Sequence, residues 1–439
     1  MRGTITAWAL MLALAAPAAA ESEFRAAVEK DYSDHLEALW VHFHKNPELS
    51  FREYETAARM AAELKALDIE VTEEVGGTGV VGMLRNGDGP LVLVRADMDG
   101  LPVKEASGLD IMSKATQEDI DGIVKPVMHA CGHDVHITSL VGTARRLVAL
   151  KDRWRGTIMF IVQPAEERIG GARAMLEDGL YERFGVPDYA LAFHVSAGIP
   201  SGRVDLQPGL IGASSDSVDI TVYGIGAHGA SPHKSKDPIY IASQIVIALQ
   251  GLVSRELSPL EPGVVTVGSF HGGFKHNIIP AEVELQLTVR SDSEATRAKL
   301  LAGIRRIAEG VARTAGLPDE LMPVVDSSFE STPTNVNDPE LTARIRKAFV
   351  AALGEEVMYT RKREGMGAED FAYFVQTEHK VPGAYFRVGG TPQAEVDAEK
   401  AGGPPVPSHH SPFFRIEAEP SVIRGTEAMV VAVMELMGK

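Results

Sequence analysis

The chain has 439 residues, with 60 acidic and 43 basic side chains and a formal net charge of −17. Nucleic acids and anionic membranes would repel so negative a molecule, which argues against both as partners. The length is sufficient for a large buried core, and we expect that core to be divided between two domains.

The first twenty residues have the pattern of a secretory signal peptide. Arg2 gives a positively charged start, residues 7–16 form an apolar run, and three alanines ending at Ala20 provide a cleavage site. The apolar run is short for a membrane span. We therefore expect a protein without a membrane anchor, exported to the periplasm or secreted after cleavage near Ala20.

The mature chain begins with helices and apolar strands in alternation. Amphipathic spacing predicts a helix over 24–43, and a capping box formed by Ser50 and Glu53 predicts a second helix. The Asn-Gly-Asp-Gly sequence at 86–89 predicts a hairpin turn. Further along, the patterns predict strands at 69–75, 80–84, 91–94, 157–162 and 189–193 and a helix at 137–150. This alternation favours a three-layer α/β domain.

The pattern changes near residue 212. A β-α-β-β-α order follows, which suits a small antiparallel sheet with helices on one face, as in ferredoxin-like α+β domains. The first pattern then resumes, with predicted helices at 339–353 and 417–437 and a loop rich in Gly and Pro at 389–407 that we expect to be flexible. The predicted organisation is a signal peptide at 1–20, a large domain at 21–212 and 326–439, and a smaller inserted domain at 213–325.

Three predicted apolar strands end in polar residues, and α/β folds place their chemistry at the carboxyl ends of strands. Asp97 and Asp99 follow the first strand, Glu166 and Glu167 follow the second, and His194 ends the third. Neighbouring residues of an extended segment point in opposite directions, so one glutamate could bind a metal while the other faces a substrate as a base. Taken singly, an acidic pair usually lies on the solvated surface. A histidine at the end of a strand is a hydrogen-bonded core residue as often as it is a functional one.

Cys131 is the only cysteine, and His133 lies two residues after it. Thiolate and imidazole are good ligands for a divalent metal, although a Cys-x-His alone is more often a buried thiol beside an ordinary histidine. The rest of the chain offers further metal-binding side chains, namely Glu167, His194 and one of His409 or His410. The combined set suits two metals with one shared ligand rather than a closed four-ligand structural zinc site.

The chain resembles the M20 metallopeptidase family and, within it, the amidohydrolase branch that hydrolyses N-acyl amino acids, hippurate and auxin conjugates. The resemblance extends in order over nearly all of the mature chain. The matching stretches are His44–Ser50, Arg95–Asp99, Met128–Asp134, Gln163–Glu167, Gly226–His233, His276–Pro280, Gly367–Phe371 and His410–Pro412.

The resemblance implies a two-metal catalytic domain, interrupted by a lid domain that often dimerises. It implies that the metal ligands are Cys131, which would bridge the two metals, together with His133, Glu167, His194 and His410. Glu166 would be the general base acting on a water between the metals. Asp99 would orient a ligand, since Asp97-Met98-Asp99 stands where the wider family has His-x-Asp and His133 would replace the missing histidine.

The resemblance also implies residues that contact the substrate. His228 would reach a neighbouring site across the dimer and stabilise the oxyanion, Asn277 and Arg290 would hold the substrate carboxylate, and Glu369 would line the site. One motif departs from the family pattern, because a His-His pair precedes Ser411 where the family usually has Leu-His. That departure leaves open which of the two histidines binds metal.

The predicted activity is metal-dependent hydrolysis of the amide bond of N-acyl amino acids, giving a carboxylic acid and an amino acid. The expected cofactors are two divalent ions, with zinc or manganese favoured over cobalt or nickel. We expect a small-molecule substrate and a homodimer or higher homo-oligomer. The alternatives are a dipeptidase or carboxypeptidase of the same family, a catalytically inactive conjugate-binding protein and a structural zinc protein.

Overall fold

The computed structural model describes residues 23–327 and 330–439. The predicted signal peptide at 1–20 lies outside the described residues and stays a prediction. Within the described part of the chain, no helix is long and apolar enough to cross a bilayer.

The helices are numbered in chain order. Helical residues 23–31 and a π-turn at Tyr32–Leu36 lead into the first of them. The helices are α1 (Glu37–Lys45), α2 (Tyr54–Lys65), α3 (His133–Ala149), α4 (Gly171–Glu177), α5 (Leu180–Phe184), α6 (Pro238–Gly251), α7 (Glu294–Thr314), α8 (Pro339–Leu353), α9 (Ala372–Val375), α10 (Gln393–Lys400) and α11 (Ala418–Met437).

The strands are numbered in the same way. They are β1 (Glu70–Val75), β2 (Gly79–Asn86), β3 (Leu91–Asp97), β4 (Thr116–Glu118), β5 (Val124–Pro126), β6 (Gly156–Gln163), β7 (Tyr189–Pro200), β8 (Val204–Asp205), β9 (Gly209–Gly212), β10 (Ser214–Tyr223), β11 (Ala227–His228), β12 (Gly263–Gly272), β13 (Ile278–Ile279), β14 (Glu282–Ser291), β15 (Val324–Asp326), β16 (Ser331–Thr332), β17 (Asn335–Asn337), β18 (Met358–Tyr359) and β19 (Gly383–Thr391).

An eight-stranded sheet forms the centre of the large domain, in the order β1-β2-β6-β3-β7-β19-β8-β18. The neighbours β6, β3, β7 and β19 run parallel. Their apolar runs are buried on both faces, as parallel strands require. Helices α3 and α11 pack in the core on one face, and α4 and α9 pack in the core on the other. These three layers confirm the predicted α/β fold class.

A second, antiparallel sheet is formed mainly by residues that the sequence assigned to the inserted domain. Its order is β12-β14-β10-β15, and the short β16 also pairs with β10. Buried and exposed residues alternate along β14, and the buried face packs on α6 and α7 in a separate core. This is the predicted small α+β arrangement, and the domain boundaries themselves stay a prediction.

The hairpin predicted at residues 86–89 is wrong. Strand β6 lies between β2 and β3, antiparallel to the first and parallel to the second. Gly87 and Gly89 do supply the positive φ angles of a tight turn, +82° and +157°. The turn therefore reverses the chain, but the strand that follows it pairs with β6 and β7 and not with β2.

The capping box predicted at Ser50 and Glu53 is also wrong. Helix α2 begins at Tyr54 without a side-chain cap. The Ser50 hydroxyl instead donates to Asp99 at 2.7 Å. Glu53 is fully buried, where its carboxylate accepts from the Thr78 hydroxyl at 2.6 Å and from the Ala165 amide at 2.9 Å. Long-range partners thus compete successfully with the local capping interaction.

Two element boundaries differ from their predictions. Strand β7 continues past His194 to Pro200, because its pairing with β19 continues through Ser196. The loop predicted to be flexible at 389–407 contains helix α10, whose Val396 is buried. In both places, burial against a distant segment decides the local structure.

Candidate metal centre and active-site cleft

A close backbone approach holds the Cys131 loop against strand β7. Gly132 has a φ of +87°, and a side-chain carbon at this position would lie 2.3 Å from Cγ1 of Val195. Only glycine adopts this conformation at so short a separation without displacing a neighbour. Helix α3 begins at the next residue, His133, so the turn brings Cys131 and His133 beside β7.

Cys131 and His194 are in direct contact. The Cys131 Sγ atom lies 3.3 Å from Nε2 of His194. The other ring nitrogen, Nδ1, lies 2.5 Å from the Val195 carbonyl oxygen, to which it donates. This assignment leaves the lone pair of Nε2 directed towards the sulfur. Burial lowers the pKa of His194 well below its ordinary value, so the ring is neutral, which is the form that binds metal.

Glu166 and Glu167 lie in a tight 3-10 turn, not in the extended segment that the sequence suggested. The flanking residues Ala165 and Ile169 have φ angles of +47° and +52°. As a result both carboxylates approach the same atom, Nε2 of His133, at 3.9 Å for Glu166 and 3.8 Å for Glu167. The two carboxylates therefore do not point to opposite sides of an extended strand, and their separate roles as base and ligand stay a prediction.

The two adjacent histidines of the last motif have different surroundings. His410 has its Nε2 atom 3.3 Å from Oε2 of Glu167, and its backbone amide donates to Ala130. His409 has its Nε2 atom occupied as acceptor from the Ala197 amide at 3.1 Å, while its Nδ1 lies 3.7 Å from Sγ of Cys131. These contacts favour His410 as the ligand.

Five groups of potential donor atoms lie in the described chain, and the two that consist only of predicted metal ligands share one residue. Cys131, His133 and His194 make one group, and Cys131 with Glu167 and His410 makes the other. Within each group, all donor atoms lie within 4.8 Å of one another. Cys131 is thus the residue that the two groups of predicted ligands have in common.

Several buried acidic and polar groups of the donor set have no partner within the described chain that stabilises their metal-binding forms. Burial, together with Glu369 and Glu167, raises the pKa of Glu166 well above its ordinary value. Burial raises the pKa of Glu167 to about 8. Burial, together with Glu167 and Glu166, raises the pKa of the Cys131 thiol. His133 Nε2 and Glu167 Oε1 are also buried without hydrogen-bond partners. Divalent cations would satisfy these atoms and stabilise the deprotonated forms, so the residues present fit metal binding.

Asp99 contacts both parts of the donor set. Its Oδ1 atom lies 3.2 Å from Nδ1 of His133. Its two oxygens also accept from the amides of Glu166 and Glu167, at 3.1 Å and 3.0 Å. One buried carboxylate therefore fixes the orientation of the His133 ring and the conformation of the glutamate turn, as expected of a residue that supports metal ligands.

Sequence reasoning missed a buried network behind the donor set. His136 has Nδ1 2.5 Å from Asp97 and Nε2 accepting from the Val195 amide at 2.8 Å, so both of its nitrogens are occupied. Arg95 donates to Asp97 and Glu369, both at 2.8 Å. Although burial opposes it, Arg95 with nearby histidines holds the pKa of Asp97 well below its usual range. The i, i+3 spacing of His133 and His136 was the available signal.

A cleft of about 670 Å³ opens above the donor set, and both domains line it. Arg290, on the lid strand β14, lines this cleft together with Glu166 and Cys131. His228 and Asn277 do not line it in the described chain. They lie together on the lid, where the Gly229 amide donates to the Asn277 carbonyl and the His228 ring is exposed.

The chain matches the sequence model of peptidase family M20/M25/M40 over residues 93–424. It is 40% identical over 364 residues to thermostable carboxypeptidase 2 of Saccharolobus solfataricus, covering 82% of this chain and 87% of the relative. It is 37% identical over 347 residues to the hippurate hydrolase of Campylobacter jejuni, covering 79% of this chain and 86% of the relative.

The fold is similar to the crystal structure of the Bacillus subtilis YXEP protein, described as a dinuclear metal-binding peptidase of the M20 family. The two structures superpose with a TM-score of 0.71 and share 29% sequence identity. The superposition covers 93% of this chain and 99% of that chain.

Proposed function

Because the chain belongs to the M20/M25/M40 peptidase family of metal-dependent hydrolases, we propose that it hydrolyses the amide bond of N-acyl amino acids. The products are a carboxylic acid and a free amino acid. The observation that carries the proposal is the position of Glu166, a buried carboxylate that lines the cleft 3.9 Å from His133 and beside the shared donor Cys131.

The residues that would hold two metal ions are Cys131, His133, Glu167, His194 and His410. When bound, divalent cations such as zinc or manganese, with cobalt or nickel as alternatives, would supply Lewis acidity and lower the pKa of a water molecule.

Glu166 then acts as the general base. It takes a proton from the attacking water and returns it to the nitrogen of the leaving amino acid. Asp99 keeps Glu166 in place through the hydrogen bond from the Glu166 amide.

The lid contributes the groups that bind the substrate. Arg290 is half-buried in the cleft and pairs with the carboxylate of the amino-acid portion, with Asn277 as a second contact. His228 donates to the oxyanion that develops in the site of a second copy of the chain. Its exposure on the lid supports this role, because an exposed ring is available to another subunit.

The same site would also suit cleavage of a peptide bond next to a carboxyl-terminal amino acid. The similarity to thermostable carboxypeptidase 2 favours this second candidate function. A conjugate-binding protein without activity and a structural zinc protein are less well supported, since Glu166 and the full donor set are present together.

Export after cleavage near Ala20 and assembly as a homodimer are part of the proposal. The apolar run at residues 7–16 supports export. The position of His228 and Asn277 outside the cleft of their own chain supports assembly, since a second copy is then needed to complete the site.

A hydrolysis screen tests the proposal. The purified protein is stripped with a chelator, reloaded with zinc, manganese, cobalt or nickel, and assayed against N-acetyl-, N-benzoyl- and N-indoleacetyl-amino acids beside a panel of dipeptides. We expect turnover of at least one acyl series that disappears with chelation and returns with metal. Turnover confined to dipeptides would favour the peptidase, and binding without turnover would overturn both.

A further inference from the structure

Five basic and five acidic side chains line the cleft above the donor set, in a chain whose net charge is −17. The basic residues that line it are Arg290, Arg361, Lys362, Arg363 and Arg387. Apart from the carboxylates at the donor set, the acidic residues that line it are Glu330 and Glu364. Away from the donor set, five basic residues therefore accompany two acidic ones, and such a local excess of one sign of charge attracts ligands of the opposite sign.

Two of these cations already have carboxylate partners. Arg363 forms an ion pair with Asp292, which follows strand β14 of the lid. Arg387 lies 3.8 Å from Asp205 and donates to the Ile211 carbonyl at 3.2 Å. These two arginines stabilise the walls of the cleft and are not the ones that a ligand would need.

Arg361 is held in place beside the donor set. One guanidinium nitrogen donates to the Ala197 carbonyl at 2.8 Å, and the amide of Ala197 donates to His409. The Arg361 carbonyl in turn accepts from the Gln207 side chain at 2.8 Å. Anchoring at both the backbone and the guanidinium reduces the entropy that Arg361 would lose when it binds a ligand.

The ion pair between Arg361 and Glu364 is a weak competitor. The two side chains are 3.4 Å apart, and the Glu364 side chain is 73% exposed. Exposed pairs of this kind contribute little stability, so a ligand carboxylate can replace Glu364. The other acid, Glu330, lies 3.5 Å from Arg168 and is partly neutralised there. Lys362, next to Arg361, is exposed on the same rim of the cleft.

We propose that Arg361 and Lys362 form a second anion-binding subsite, which selects substrates with a carboxylate beyond the one that Arg290 holds. The inference rests on the proposed function. The substrate class is an N-acyl amino acid with two carboxylates. The second carboxylate belongs either to the amino-acid side chain, as in an acyl-glutamate, or to the acyl group, as in a dicarboxylic monoamide.

Two pairs of substrates that differ only in one charge distinguish these sources. N-acetyl-glutamate is compared with N-acetyl-glutamine, and N-succinyl-leucine with N-succinamoyl-leucine. We expect kcat/KM for the acid to exceed that for the amide by about fivefold or more in one pair. The preference should decrease as salt rises from low to about 0.5 M, because salt screens exposed charges.

Variants test whether Arg361 and Lys362 cause the preference for the acid over the amide. Arg361→Gln and Lys362→Gln, singly and together, should bring the acid-to-amide ratio close to one. Arg313→Gln, an exposed arginine paired with Asp319 on the lid, is the matched control and should keep the wild-type ratio. If Arg361→Gln does not fold, Lys362→Gln and the salt dependence still decide.

Equal rates for acid and amide in both pairs would overturn the second subsite alone. A strong preference that persists in the double variant would also overturn it. If none of the four substrates is hydrolysed while the acyl series of the screen are, the second subsite is overturned and the proposed function stands. If the acyl series of the screen are not hydrolysed either, the proposed function fails and this inference fails with it.

Discussion

At the scale of single residues, Cys131 matters most for the proposed metal binding, because both groups of predicted ligands include it. Its burial raises the pKa of the thiol well above its ordinary value. A thiol in that state is a poor ligand until a cation is present to stabilise the thiolate. Metal binding at this site should therefore release a proton and depend on Cys131.

We expect Cys131→Ala to lose metal from both positions, with a fall of at least about 10- to 100-fold in metal affinity. Elemental analysis of the purified variant after dialysis measures the occupancy. Ser196→Ala is the matched control, since Ser196 also lines the cleft and its hydroxyl donates to the Ala197 carbonyl. Full occupancy in Cys131→Ala would contradict the shared-ligand role.

Glu166→Gln separates base catalysis from metal binding. The change keeps the size of the side chain but removes the proton acceptor, so turnover should fall by about 10²- to 10⁴-fold with metal content nearly intact. Hydrolysis rates and elemental analysis on one preparation measure both. The control is Glu330→Gln, whose carboxylate lies in the same cleft but beside Arg168. Substantial activity in Glu166→Gln would sink the base assignment.

At the scale of elements, a buried histidine joins helix α1 to the start of α3. The Nδ1 atom of His44 lies 2.8 Å from Asp134, the second residue of α3, and Nε2 lies 3.2 Å from Glu105. Burial alone would lower the pKa of His44, but the two carboxylates overcome this and raise it to about 10. A charged imidazole between two acids therefore fixes the helix that begins at His133.

This pair of contacts predicts a pH-dependent contribution to stability. Because the pKa of His44 is higher in the folded state than the unfolded value of about 6.5, its contribution is complete below that pH. It should then decrease by about 1.4 kcal/mol per pH unit until the pH reaches about 10.

Urea unfolding of wild type and His44→Gln, both kept metal-free with chelator, measures this contribution at pH 6, 8 and 10. The difference in unfolding free energy should shrink across the series. His42→Gln, on the same helix with its ring exposed, should give a small difference that does not shrink as pH rises, because burial lowers the pKa of His42. A difference for His44→Gln that does not change with pH would contradict the charged state assigned to His44.

At the scale of the whole molecule, the large domain and the lid contribute different residues to the candidate site. In the large domain, Glu166 and Glu167 follow β6 and His194 lies within β7, and the lid carries Arg290 into the cleft. His228 and Asn277 occupy another part of the lid, where His228 lies on β11 and Asn277 directly precedes its partner strand β13. In the described chain neither residue lines the cleft, which is the observation behind our proposal that a second copy completes the site.

Mixed subunits test whether His228 acts across a dimer. His228→Gln and Glu166→Gln each inactivate one function, so neither homodimer should turn over substrate. After subunit exchange, each heterodimer has one site with both groups intact, and about a quarter of the wild-type activity should return if the assembly is a twofold dimer. No recovery, with heterodimers verified by mass spectrometry of tagged subunits, would mean that His228 acts within its own chain or not at all.

The sequence by itself determined the fold class and the candidate chemistry. Parallel strands buried on both faces need continuous apolar runs, which are local and visible, and Glu166, Glu167 and His194 were found because they follow or end such runs. The structure brings these residues together with Cys131 and His410, as expected. Their roles as ligands and base stay predictions.

The tertiary structure alone decided the pairing of distant segments. Strand β6 separates β2 from β3. The Glu53 carboxylate accepts from Thr78 instead of capping its helix, and Arg361 donates to the Ala197 carbonyl. These contacts join residues far apart in the chain, and they form because burial and hydrogen bonding there outweigh the local preference. A local pattern cannot encode that competition, since the free energy that decides it is distributed over the whole core.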